Sequence, residues 1–126
     1  MSKILFTIED ISPLPELASL CQTLAMTETR VTSMRKALSL LKKQQPDFIL
    51  AEFEYGYGNN YAGVNISNLD VLLYGLQKYS PQTKVIVLVE KNEYPYVEKL
   101  NTIFKLHAVL PYPINRQQLE KIFSQP

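Results

Sequence analysis

The sequence has little of what usually declares a function. It carries a single cysteine, Cys21, and one thiol can build neither a disulfide framework nor a thiolate metal site. Cys21 lies in the apolar run Leu17, Leu20, Cys21 and Leu24, which marks it as a buried structural thiol. Neither sign of charge is in excess, since 13 Lys and Arg stand against 12 Asp and Glu. No basic field of the kind that draws nucleic acid or an anionic membrane follows from that balance. Long hydrophobic runs are missing as well. The start, Met1-Ser2-Lys3-Ile4-Leu5-Phe6, meets Glu9 and Asp10 too soon to be a signal peptide or a membrane span, which predicts a cytoplasmic protein. There is no low-complexity segment, internal repeat or linker. No glycine-rich phosphate loop and no catalytic triad supports an enzyme. The triplet Asn65-Ile66-Ser67 is a glycosylation sequon, which matters only in a secreted chain. His107 has no acidic or thiol neighbour in sequence and reads as a surface residue.

What is present is an ordinary globular composition, 46% apolar and 20% charged over 126 residues, enough for one domain over 1–126 with a continuous core. Ile4 to Ile8 is a short apolar run that stops at acids, as a strand buried on both faces of a parallel sheet does. Ser12-Pro13-Leu14-Pro15-Glu16 supplies helix-start chemistry, and Leu17, Leu20, Cys21 and Leu24 then predict a helix to about Ala25. Thr29-Arg30-Val31-Thr32 reads as a second strand, and Met34, Ala37, Leu38 and Leu41 as a helix ending before Pro46. Asp47 to Ala51 is a third buried strand running into Glu52. A long loop rich in Gly, Asn and Tyr follows, from Glu54 to Gly63. Ser67 can cap a helix carrying Leu69, Leu72, Leu73 and Leu76, which Ser80-Pro81 ends. Lys84 to Val89 is the clearest strand, a fourth helix is expected from about Tyr96 to Leu106 with Pro95 in its first turn, and Ala108-Val109-Leu110 is the last strand. A short helix is expected around Arg116 to Phe123.

Strands and helices alternate five times, which calls for right-handed crossovers and an α/β fold. The expected architecture is a flavodoxin-like doubly wound five-stranded parallel sheet of order 2-1-3-4-5 with helices on both faces. Ile4, Leu5, Phe6, Ile49, Leu50, Ile86, Val87 and Leu88 should be buried at its centre. Chemistry in such sheets sits at the carboxyl ends of the strands, where Glu9, Asp10 and Glu52 fall.

Over nearly its whole length the chain resembles the receiver domains of two-component response regulators. Pro46-Asp47-Phe48-Ile49-Leu50-Ala51-Glu52-Phe53 is similar to the family's third strand, which ends in the phosphoacceptor aspartate, and Lys3 to Asp10 to the first strand with its metal-binding acids. Val85 to Val89 resembles the fourth strand, and Ala108-Val109-Leu110-Pro111-Tyr112-Pro113-Ile114 the fifth with its following Lys-Pro. The resemblance puts Glu52 at the phosphoacceptor position, Val89 at that of the hydroxyl residue and Tyr112 at that of the lysine. The acid pair Glu9 and Asp10 is offset by one residue. Val89 and Val109 stand where the family couples a hydroxyl residue to an aromatic. The resemblance also implies a cis peptide before Pro113.

A degenerate phosphoacceptor site at Glu52, Glu9, Asp10, Val89, Tyr112 and Pro113 implies a pseudo-receiver, a phosphorylation-independent signalling and protein-interaction module. Two readings compete with it: a working phosphoacceptor using Glu52 or a nearby acid, and a regulatory domain binding a small aromatic ligand between the loop and Tyr112. Glu9, Asp10 and Glu52 are the residues that could hold Mg²⁺. The plainer reading of these three is solvated acids at strand ends, and no cofactor is expected. Interaction candidates are Tyr55, Tyr57 and Tyr61 in the long loop, with Tyr96, Lys99, Phe104 and Ile122 on the fourth helix and fifth helix. At least one loop tyrosine should pack over the acids or against Tyr112, or serve a partner. Expected partners are a kinase, an output domain or a regulator, or a second copy in a homodimer.

Overall fold

The computed structural model describes residues 3–8, 17–55 and 67–124. Five strands, β1 (Lys3–Ile8), β2 (Met26–Val31), β3 (Phe48–Glu52), β4 (Lys84–Val89) and β5 (Ala108–Pro111), form one sheet in the order β2-β1-β3-β4-β5. Every pairing is parallel. This is the doubly wound flavodoxin-like architecture that the alternation of elements predicts.

Helix α1 (Leu17–Thr23) buries Leu17, Leu20 and Cys21, one stripe at helical spacing. Its expected start at residues 12–16 lies outside the described residues. The helix gives way at Ala25, whose φ of 58° places a side-chain-bearing residue in the left-handed region that usually takes glycine. The chain enters β2 directly, three residues before the β-branched stretch that marks it in sequence. Parallel pairing sets that boundary: β1 offers partners along its whole length, from Lys3 opposite Met26 to Ile8 opposite Val31.

Helix α2 (Met34–Leu41) is capped by Ser33, whose hydroxyl accepts from the Lys36 amide at 3.2 Å. Helix α3 (Asp70–Tyr79) starts later than Ser67 suggests. The Ser67 hydroxyl accepts from Leu69 N at 3.0 Å, while the Ser67 amide and hydroxyl donate to Asp70 Oδ1 at 2.8 and 3.1 Å. Asp70 thus stands in the first turn, where the helix dipole favours an acid.

The fourth helix differs most from expectation. Only Tyr94–Val97 (α4) is α-helical, with Pro95 in the first turn as expected, and it is flanked by 3₁₀ turns at Lys91–Glu93 and Glu98–Thr102. Side chains compete with the helical ladder here: Thr102 Oγ1 donates to Lys99 O at 2.8 Å, Asn101 Nδ2 to Glu98 O at 3.2 Å, and Leu106 N donates to Asn101 Oδ1 at 2.9 Å. The tighter winding keeps Val97, Leu100 and Ile103 on one buried line, because residues three apart eclipse in a 3₁₀ helix. Helix α5 (Arg116–Phe123) begins with a capping box between Asn115 and Gln118.

Two apolar layers cover the sheet. On one face Phe6, Ile49, Ala51, Val85, Val87 and Val89 meet Leu72, Leu73 and Leu76 of α3 and Val97 and Leu100 of the fourth segment. On the other, Leu5, Phe48, Leu50, Ile86 and Leu88 meet Leu17, Leu20 and Cys21 of α1 and Leu119 and Phe123 of α5. Seven of the eight residues expected at the centre are 0% exposed, each worth roughly 1.5–3 kcal/mol of transfer free energy. Ile4 is the exception. It is only partly buried, because it lies at the amino-terminal edge, where its amide donates to Asp47 Oδ2 at 2.8 Å. Cys21 is buried as expected, and burial, with the charge of Glu28, pushes its thiol up from the ordinary value. No helix among the described residues is long and apolar enough to cross a membrane.

Candidate functional site

Parallel register brings the carboxyl ends of β3, β4 and β5 together. Glu52 pairs with Leu88, Val89 pairs with Pro111, and Tyr112 N donates to Val89 O at 2.9 Å. Three of the positions singled out in sequence therefore share one rim. Glu52 is half-buried, Val89 is 0% exposed, and Tyr112 is half-buried just past β5. The Tyr112–Pro113 peptide is cis.

The phenol of Tyr112 donates to Glu52 Oε1 at 3.2 Å. The side chain at the lysine position of the resemblance thus reaches the side chain at its phosphoacceptor position, as a lysine would, but offers a neutral hydroxyl in place of a fixed charge. Val89 presents only carbon, and its side chain belongs to the buried layer under α3. Glu9 and Asp10 lie outside the described residues. Among the described residues no cluster of three His, Cys, Asp or Glu side chains occurs, so the donor set expected for Mg²⁺ is represented here by Glu52.

The neck of the long loop is built by a residue that the sequence reading passed over. Asn68 accepts from Glu54 N through Oδ1 at 2.7 Å and donates through Nδ2 to Glu52 O at 2.9 Å. Its own amide donates to Glu54 O at 3.2 Å, and Tyr55 pairs antiparallel with Ser67. These contacts clamp the two ends of the loop beside Glu52. An asparagine between a capping serine and an apolar helix face looks like ordinary turn chemistry, so no local signal identifies it.

Tyr55 leaves this neck toward the segment after β4. It stacks on Tyr96 with ring centroids 4.1 Å apart and planes 19° apart, and touches Phe53 at 6.4 Å. Its amide donates to Glu93 Oε1 at 3.3 Å. The Lys99 ammonium lies 5.6 Å from the Tyr55 ring centroid and 5.7 Å from that of Tyr96. Among the described residues Tyr55 thus packs on Tyr96, because β3 and the fourth segment flank the same end of β4. Tyr57 and Tyr61 lie outside the described residues. Tyr55, Tyr94 and Tyr96 remain 44%, 47% and 38% exposed, so the pair is a surface feature.

Two other interaction candidates are partly buried. Phe104 is packed against the α3-side core, and Ile122 against the α1 and α5 layer. Both fill the edges of the apolar layers, since the segment before β5 and helix α5 each need an inward face. His107 is exposed, as expected, with its ring edge-on to Phe48 at 6.5 Å.

No protein-family model and no curated protein matches the sequence. Solved structures do match its fold. The signal receiver domain of a putative LuxO repressor protein from Vibrio parahaemolyticus superposes with a TM-score of 0.73 at 18% identity, covering 98% of this chain and 88% of that one. A CheY-like response regulator receiver domain from Methanospirillum hungatei gives 0.68 at 17% identity, covering 98% and 92%. The receiver domain of a sensor histidine kinase from Pseudomonas aeruginosa, with magnesium coordinated in its active-site cleft, gives 0.68 at 14% identity, covering 97% and 94%. The chain has the fold of these receiver domains.

Proposed function

We propose that this chain is a receiver-like signalling module that acts through protein contact and without phosphoryl transfer. The hydrogen bond from Tyr112 to Glu52 Oε1, 3.2 Å long, carries the reading. Transfer to a carboxylate needs an in-line oxygen, a cation on the phosphoryl oxygens and further donors for the developing charge. At this rim the glutamate is one methylene longer than an aspartate, one of its oxygens is already engaged, and a phenol takes the place of a lysine. Val89 supplies no donor at all. Losing one such electrostatic donor costs about 100-fold or more in rate, so the replacements together remove ordinary receiver chemistry.

What the chain offers instead is surface. Tyr55 and Tyr96 form a stacked pair with Lys99 above both rings, and rigid aromatics with polar tips are the residues that most often anchor interfaces. The partner is another signalling protein, a kinase, an output domain or a regulator. The test of the whole reading is incubation with Mg²⁺ and acetyl phosphate followed by intact-mass measurement. The mass should not rise by a phosphoryl group. An adduct mapped to Glu52 or to a neighbouring acid would establish the phosphoacceptor reading in its place.

A further inference from the structure

The two edges of the sheet are finished differently. Strand β5 is four residues long and ends in Pro111, which has no amide to offer a neighbour. Strand β2, at the other edge, runs for six residues, Met26-Thr27-Glu28-Thr29-Arg30-Val31, in unbroken register with β1. Among the described residues no backbone hydrogen bond reaches it from its outer side. Proteins ordinarily blunt such an edge with a proline, a lysine or a bulge. Strand β2 has none of these.

Its side chains alternate between the two faces. Glu28 lies on the α1 side, where Oε2 accepts from the buried Thr7 hydroxyl at 2.8 Å and stands 3.5 Å from Arg30 Nη2. Val31 belongs to the α2-side layer, and Thr27 and Thr29 share its face. The strand is therefore self-complementary about Thr29. In an antiparallel pair of two such strands with Thr29 opposite Thr29, each Glu28 faces Arg30 of the second copy, and each Thr27 faces its Val31. Placing the twofold axis at Glu28 or at Arg30 instead sets like charges directly opposite, which is unfavourable.

The helices beside this edge fit the same arrangement. Arg116 of α5 donates to Ser19 Oγ at 3.2 Å and to Thr23 Oγ1 at 3.3 Å, so that flank of α1 faces α5. Ala18 and Gln22, about 100° round the helix, are exposed on the flank toward β2, and α1 carries no charge to repel a second copy. On the other face α2 carries Lys36 and Lys43, both exposed. Their repulsion across the axis, screened over about 8 Å by salt, limits the affinity.

We propose that β2 pairs antiparallel with β2 of a second copy of this chain across a twofold axis at Thr29, joining the two sheets into one. The contact is isologous and does not depend on how the Glu52 rim functions. A pairing of this length buries less than a standard interface, so the dissociation constant is on the order of 10–100 µM.

Sedimentation velocity of the full chain over about 0.01–1 mM should show a reversible monomer–dimer equilibrium. Arg30→Glu, at an exposed side chain, and Glu28→Arg should each raise the dissociation constant by roughly tenfold or more, because each sets like charges opposite one another. An equimolar mixture of these two variants should dimerise like the unsubstituted chain, since every basic side chain then faces an acidic one. Cysteine placement reads the register independently of whether Glu28→Arg folds without the acceptor for Thr7. Thr29→Cys should cross-link under mild oxidation, while Cys21 is buried and the unsubstituted chain should not cross-link. Thr27→Cys should not cross-link either, because its two copies lie about 13 Å apart along the strands, beyond the reach of about 7 Å for a disulfide. A chain that stays monomeric at about 1 mM overturns the proposal. So does a dimer that Arg30→Glu leaves unchanged, a mixture of folded variants that stays monomeric, or cross-linking of Thr27→Cys as fast as that of Thr29→Cys.

Discussion

Glu52 and Tyr112 are 60 residues apart in sequence, and neither is informative alone. A glutamate at a strand end reads as a solvated acid, and a tyrosine before a proline reads as a turn residue. Their hydrogen bond makes them one unit and can be measured as such. A double-mutant cycle with Glu52→Gln and Tyr112→Phe should give a coupling of about 0.5–1.5 kcal/mol, the net worth of a hydrogen bond in a partly wet site. Chemical denaturation of the four proteins provides the measurement, and additive effects would show that the contact contributes nothing to stability. Ala25 makes a different kind of prediction. Its φ of 58° costs an L-residue energy that glycine does not incur. Ala25→Gly should therefore stabilise the protein by up to about 1 kcal/mol, after the greater chain entropy of glycine in the unfolded state is subtracted. A lower melting temperature for this variant would mean that the Ala25 methyl makes a contact worth more than the strain.

At the scale of elements, the difference between expected and observed structure has a common cause. Helices α2 and α5 lie where hydrophobic period and capping residues put them, since Ser33 and Asn115 each satisfy a first-turn amide from within the local sequence. Strand β2 and the segment after β4 do not, because their limits are set by what lies across from them. Strand β2 extends back to Met26 to complete its ladder with β1. The fourth segment tightens to 3₁₀ where Asn101 and Thr102 bond backward and Val97, Leu100 and Ile103 must all face the core. Asn68 belongs to this scale as well, as the brace between β3 and α3. Asn68→Ala removes the acceptor for Glu54 N and the donor for Glu52 O. It should cost about 0.5–1.5 kcal/mol, since the Glu52 carbonyl is partly buried while the Glu54 amide is open to water. Hydrogen exchange should show the Glu54 amide losing protection while the amides of β1 keep theirs, and unchanged exchange at Glu54 would mean that another group holds the neck.

For the molecule as a whole, the amino-acid sequence by itself determined the α/β class, the order of the strands and the apolar content of the central ones. Those properties depend on short-range periodicity and on the rule that parallel strands covered on both faces must be continuously apolar. The resemblance to receiver domains, read from motifs in order along the chain, also pointed to Glu52, Val89 and Tyr112 as the residues of the rim. Only the tertiary structure decided what those residues do to one another. That Tyr112 reaches Glu52, that Tyr55 stacks on Tyr96 and that Phe104 and Ile122 pack inward depend on which side chains converge across strands far apart in the chain. The distribution of charge is a second instance. A total of 13 cationic against 12 anionic side chains reads as neutral, yet folding sets Lys3 and Lys84 beside the Phe48 ring, Lys42 and Lys78 beside that of Tyr79, and Lys99 beside Tyr55 and Tyr96. Composition sums charges without positions, whereas the field that a ligand meets depends on distance, and those distances exist only once parallel pairing has brought every strand's beginning to one edge and every strand's end to the other.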